Sequence, residues 1–135
     1  MIMLESGGIK DDCIVTKVAD DDFYVVLNAG CKETDLAHWD AHKTADMDVG
    51  IGYSEANSLV AIQGPKSQWL LERVLNLTPN ALQSMPFMTA NLEHRFDGGN
   101  LIVSRCGYTG EDGFEVSVPN ANAESFMEAL LEPTS

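Results

Sequence analysis

The chain has 135 residues, 44% of them hydrophobic and 21% charged, with a formal net charge of −13. That composition fits one globular domain or part of a larger one, and no stretch approaches the roughly 20 consecutive apolar residues a membrane-spanning helix needs. The acidic excess argues against a nucleic-acid partner and against an anionic membrane surface, because both are bound through basic faces.

In chain order, Met1 to Ser6 hold neither a basic flank nor a long apolar run, so no signal or transit peptide is read there. Gly7-Gly8 then punctuate, with no strand or helix expected before them. Cys13–Lys17 and Phe23–Leu27 are short β-branched and aromatic runs separated by Asp20-Asp21-Asp22. They predict an antiparallel hairpin with a solvated turn. From Lys32 to about Lys43 the period becomes helical, with Leu36, Trp39 and Lys43 on one face and Glu33, Asp35 and Asp40 on others. Val49 to Tyr53 reads as a short extended piece between glycines.

Ser58–Gln63 is a predicted strand ended by Gly64-Pro65, and Pro65 suits the first turn of a helix over about Lys66–Leu75. Asn91–Phe96 and Asn100–Arg105 flank Asp97-Gly98-Gly99, a hairpin signal. Glu115–Val118 is a further strand, and Ala121–Leu131 an amphipathic helix with Asn120 or Asn122 as its cap. Strands joined by hairpins, with helices between them and no regular βαβ alternation, predict an α+β fold of antiparallel sheets with flanking helices. Both chain ends fit a truncated sequence.

Three constellations could carry chemistry. Asp11-Asp12 leave a glycine pair and enter a strand, where neighbouring side chains alternate, so only one should look into a given pocket. The stretch Arg105-Cys106-Gly107-Tyr108-Thr109-Gly110-Glu111-Asp112-Gly113-Phe114-Glu115 is a glycine-rich loop between apolar strands. Tyr108 offers an aromatic face and a hydroxyl, and Glu115 should face away from Val116. His38 and His42 share a helix face but lack a third ligand, and Trp39 stands where a zincin needs Glu, so they read as exposed helix histidines. Cys13, Cys31 and Cys106 are odd in number and form no Cys-x-x-Cys pair, so three reduced thiols are expected. Arg105 beside Cys106 is placed to lower its pKa, although no base is evident. No nucleotide-binding glycine motif and no Gly-x-Ser-x-Gly elbow is present.

Five strings, in this order, resemble one family: Glu5-Ser6-Gly7-Gly8-Ile9-Lys10-Asp11-Asp12, Asn28-Ala29-Gly30-Cys31, Ala61-Ile62-Gln63-Gly64-Pro65, the stretch from Leu82 ending Pro86-Phe87-Met88-Thr89, and the Arg105–Glu115 loop. The family is the aminomethyltransferase, or T-protein, of the glycine cleavage system. Dimethylglycine and sarcosine dehydrogenases share the Gly-Tyr/Phe-Thr-Gly-Glu theme more loosely. A folate-binding relative without glycine cleavage, such as those dehydrogenases' folate domain or an iron–sulfur assembly folate protein, is the alternative.

The resemblance implies transfer of a one-carbon unit from aminomethyl-lipoyl H-protein to tetrahydrofolate, with release of ammonia and no metal. By motif position, Asp12 matches the family's catalytic aspartate near folate N10, and Glu115 the glutamate that holds the pteridine. Tyr108 and Asn28 match positions beside the folate. Members are much longer than this chain and form a three-domain cloverleaf. Residues 1–135 would then be a partial folate-binding region from the first two domains, inactive alone, with an N-terminal segment and a C-terminal barrel missing. A folate-binding arginine would lie beyond Ser135. The expected partners are lipoylated H-protein and folate. The expected place is the mitochondrial matrix in a eukaryote and the cytoplasm in a bacterium, with no targeting segment in this chain.

Overall fold

A computed structural model describes residues 1–133. The chain divides into two compact units, Met1–Tyr53 and the residues from Ser54 onward.

The first unit holds two hairpins and a helix. Strand β1 (Ile2–Met3) pairs antiparallel with β2 (Ile9–Asp11). Leu4 N–H donates to the Gly8 carbonyl at 2.8 Å, and Gly7 N–H to the Leu4 carbonyl at 2.9 Å, closing the turn. A strand therefore does precede the glycines. It is two residues long, too short to show a period of its own, and exists because the turn brings it onto β2. Strands β3 (Cys13–Lys17) and β4 (Phe23–Leu27) form the expected hairpin, in register from Cys13↔Leu27 to Lys17↔Phe23.

Helix α1 spans Lys32–His42. Its buried residue is Asp35, with no side-chain surface left to water, whereas Leu36 and Trp39 are only half-buried. The face that packs thus takes in Asp35 beside Trp39, four residues further on, rather than the apolar side chains alone. A carboxylate takes the central inward position because its partner is another polar group, described below. Val49 to Tyr53 forms no strand and lies exposed.

The second unit carries the apolar core. Its elements are β5 (Asn57–Gln63), α2 (Ser67–Val74), β6 (Thr89–Asn91), β7 (Arg95–Phe96), β8 (Gly99–Asn100), β9 (Ile102–Arg105), β10 (Gly113–Pro119) and α3 (Asn120–Leu131). Four strands form an antiparallel sheet in the order β5-β10-β9-β6, and β7-β8 make a separate hairpin. The turn of that hairpin is Asp97-Gly98, with φ of 46° and 78°. Two successive positive φ values are the turn geometry whose twist matches paired strands.

Strand β10 is central. Phe114, Val116 and Val118 are fully buried and pack with Leu71, Leu101, Val103 and Phe126. Phe96 meets Phe126 edge-to-face at 5.1 Å. The alternate residues Gly113, Glu115 and Ser117 line the other face, so Glu115 does point away from Val116. Helix α3 starts differently from expectation: Pro119 is its N-cap residue, and no side chain caps it. The asparagines are engaged elsewhere. Asn120 donates to the Glu55 carbonyl at 2.8 Å and accepts from the Ser58 hydroxyl at 2.8 Å, while Asn122 donates to the Asp97 carbonyl at 3.3 Å. These antiparallel sheets with flanking helices are an α+β fold.

Candidate functional site

In the first unit, the hairpin register builds an acidic cluster. Cys13 pairs with Leu27, so one step further sets Asn28 opposite Asp12. The Asn28 amide donates to Asp12 Oδ1 at 2.9 Å, to Asp11 Oδ1 at 3.0 Å and to the Asp12 carbonyl at 3.3 Å. Both carboxylates thus converge on one amide. Strict alternation fails because β2 ends at Asp11 and β3 begins at Cys13, leaving Asp12 between strands. The Asn28 amide holds the Asp11 carboxyl below the ordinary carboxylate range, against its partial burial. Burial, then the negative charge of Asp11, pushes the Cys31 thiol up. Asp12 itself is exposed.

In the second unit, residues 106–112 form a loop whose neck is fixed by charge. Arg105 meets Asp112 through two bonds, Nη2 to Oδ2 at 2.6 Å and Nε to Oδ1 at 3.0 Å. Arg105 Nη1 also donates to the carbonyls of Leu82 and Met85 at 2.8 and 3.1 Å, and Nη2 to Gln68 Oε1 at 3.1 Å. The guanidinium stacks 5.3 Å from the Phe114 ring centre. A planar fork of donors suits such a convergence of acceptors. Gln68 Nε2 in turn donates to Glu72 at 2.9 Å. Buried Glu72 accepts from the backbone N–H groups of Asn80 and Leu82, each at 3.0 Å. Burial alone would raise the Glu72 pKa, but those donors outweigh it and hold it low.

With its donors committed, Arg105 does not activate Cys106. Burial, and then the Glu115 carboxylate, push the Cys106 thiol up to about 12. The expected lowering is therefore reversed. All three cysteines are free thiols.

The loop closes over the side chain of Gln63. A Cβ at Gly107 would lie 2.3 Å from Gln63 Oε1, and one at Gly113 would lie 2.6 Å from Gln63 Nε2. A side chain at either end would push the Gln63 amide out of its place. At the tip, Tyr108 is 76% exposed. Glu115 is 9% exposed and paired in the ladder with Ser104 and Ala61. Its Oε2 is buried without a hydrogen-bond partner, while the Cys106 thiol lies within reach of the carboxylate. An ionised carboxylate is a pure acceptor and can take two donors side by side.

Against known families, residues 1–135 match the GCVT N-terminal domain. The chain belongs to that family. It is 42% identical to "Aminomethyltransferase, mitochondrial" of Flaveria trinervia over 132 residues, covering 95% of this chain and 31% of that protein. The protein of the same name from Saccharomyces cerevisiae is 39% identical, with 97% and 34% covered, and that from Canis lupus familiaris 41% identical, with 95% and 32% covered. The chain spans about a third of the length of these relatives.

Within this GCVT domain, the structure brings Asp12 and Asn28 into direct contact. Tyr108 and Glu115 belong to the second unit, at the tip and just past the foot of one loop. Asp35, Gln63 and the chain of contacts through Glu72, Gln68, Arg105 and Asp112 join the residues expected from sequence. Gln68 and Glu72 are four apart on a helix and were findable from spacing. The link from Gln68 to Arg105 is long-range and left no local trace. Among the described residues, no group of three or more His, Cys, Asp or Glu is placed to hold a metal ion. The His38 and His42 rings lie tilted against each other, 4.1 Å between centres, and His42 Nδ1 lies 2.7 Å from the His38 carbonyl.

Proposed function

We propose that the chain is the folate-binding part of an aminomethyltransferase of the glycine cleavage system. The full protein would move the one-carbon unit of aminomethyl-lipoyl H-protein to tetrahydrofolate, releasing ammonia and giving 5,10-methylenetetrahydrofolate. Residues 1–135 would supply parts of the first two of three domains and would be inactive alone. The expected compartment is the mitochondrial matrix in a eukaryote and the cytoplasm in a bacterium.

The observation that carries this reading is the open oxygen of Glu115. A buried acceptor left unsatisfied costs about 1–3 kcal/mol. Such a cost is tolerated where a ligand supplies the missing donors. The pterin edge of folate offers an N–H and an exocyclic amino group side by side, which would suit a carboxylate whose Oε2 has no partner. Tyr108 would add an aromatic surface at the loop tip. Asp12, steadied by Asn28, would accept a hydrogen bond near folate N10 and stabilise positive charge developing there. The hard chemistry belongs to the folate nitrogens, and the protein binds and orients.

The test is Asp12→Ala in the full-length protein, supplied with tetrahydrofolate and aminomethylated H-protein. Ammonia release should fall at least a hundredfold, within the typical weight of a positioned acid–base group (about 10²–10⁴), while folate still binds. Normal turnover by the variant would remove Asp12 from the chemistry. A wild-type protein that binds folate but never releases ammonia would belong instead with the folate-binding relatives.

A further inference from the structure

Asp35 is an acid in a place where acids are rarely found. It is fully buried, and neither of its carboxylate oxygens meets a hydrogen-bond donor. Asp11 Oδ2 is likewise buried and unpartnered, and the two carboxyls lie within hydrogen-bonding reach of one another. Two ionised carboxylates in that position only repel. A single proton between them turns repulsion into a short charge-assisted O–H···O bond. The Cys31 thiol and the Asp12 backbone N–H also reach Asp11, but no donor meets either oxygen of Asp35.

The remaining charged and titratable neighbours are few. Lys10 on β2 and His38 on α1 favour the ionised form of Asp35, but burial and Asp11 outweigh them. Cys31 has its own proton held on by burial and by Asp11, Asp35 and Asp12. The pair therefore divides its shifts, Asp35 upward through burial first and Asp11 downward through Asn28 first.

We propose that Asp35 is a positioning residue, which holds one proton in common with Asp11 and so, through the Asn28 amide, fixes the carboxylate of Asp12. Asp11 uses its Oδ2 toward Asp35 and its Oδ1 toward Asn28, and the same amide reaches Asp12 Oδ1. The chain of contacts runs from a buried helix position to an exposed acid. Its weight in catalysis rests on the function proposed above. The shared proton does not.

Asp35, raised when folded, contributes stability that is fully present below its unfolded value of 3.8 and is lost as pH rises through its folded value. Loss of the shared proton should change the contact of Asp11 with Asn28 over the same range, because it returns full charge to Asp11 and sets two carboxylates against each other.

The experiment is a carbon-13 NMR titration of the aspartate carboxyls in this chain, with the Asn28 side-chain amide followed in parallel. Asp35 should titrate above 3.8 and Asp11 below it, and the Asn28 amide should shift as Asp35 loses its proton. In Asp35→Asn the new amide donates to Asp11 at every pH, so the Asn28 signal should stay fixed where the wild type moves. In the full-length protein, the same variant should retain turnover with a flatter pH profile above 3.8. Asp35 titrating at its ordinary value, or an Asn28 amide indifferent to it, would overturn the proposal. Should Asp35→Asn not fold, the wild-type titration decides alone. A wild-type protein without transfer activity would sink the functional reading and leave the titration untouched.

Discussion

Cys106 and Glu115 show how far one side chain's surroundings can reverse what its neighbours in sequence suggest. A cysteine next to an arginine is a familiar recipe for a reactive thiolate. Here the guanidinium turns toward Asp112, Gln68 and two carbonyls, and the thiol is left with burial and a carboxylate. With the pKa pushed up to about 12, the thiolate fraction at pH 8 is on the order of one in ten thousand. One equivalent of an alkylating reagent should therefore react readily in the native chain, at the half-buried Cys13, and a second more slowly at Cys31, whose thiol is pushed up by burial and by Asp11. Cys106 should react only after denaturant is added, and mass spectrometry of the labelled peptides reads this directly. Native labelling of Cys106 as fast as Cys13 would contradict its placement. Asp35 and Glu115 share a further property: each keeps a buried oxygen without a protein donor. The first is answered by a shared proton and the second by the proposed ligand.

The loop of residues 106–112 is held at its neck rather than along its length, and this sets how it should fail. Asp112→Ala would leave Arg105 partly buried and short of its anion. Breaking a buried pair costs about 3–5 kcal/mol. A third of the Asp112 side chain meets water, and Arg105 keeps three other acceptors, so about 2 kcal/mol is expected here. Urea unfolding should show a lower midpoint at unchanged slope. Arg105 holds the Asp112 carboxyl below the ordinary range, so its contribution exists above pH 3.8 and disappears as pH falls through the folded value. The variant should lose that acid limb. Local chemistry made most elements legible in advance. The hairpin Cys13–Lys17/Phe23–Leu27 was readable residue for residue, because β-branched runs flank an aspartate turn. Helices α2 and α3 were readable to within a residue or so at most ends, since apolar spacing and proline mark them. The burial of Asp35 was not readable, because a helical pattern counts apolar side chains and an acid satisfied by another acid has no such signature. The break at Asp12 was hidden for a similar reason. Alternation assumes one unbroken strand, and two adjoining strands meet there.

At the scale of the whole chain, the two units differ in what holds them. The second has a continuous apolar core around Phe114, Val116, Leu71 and Phe126, while the fully sequestered side chains of the first are Ile2 and Asp35. Ile9, Val15, Phe23, Met47, Val49 and Ile51 of that first unit stand exposed. For a folded chain with that much apolar surface, mutual repulsion is the force expected to oppose association, and a net charge of −13 supplies it. Repulsion of this kind is screened within about 10 Å at 0.1 M salt and about 3 Å at 1 M. Light scattering should accordingly report monomers in dilute buffer and growing assemblies as sodium chloride is raised, with recovery on dialysis. Assemblies that ignore salt would mean that charge is not what keeps the molecules apart. On this expectation, the apolar residues left open on the first unit would make its colloidal behaviour a matter of ionic strength. Handling conditions, as much as the fold, decide whether single molecules are available for any assay.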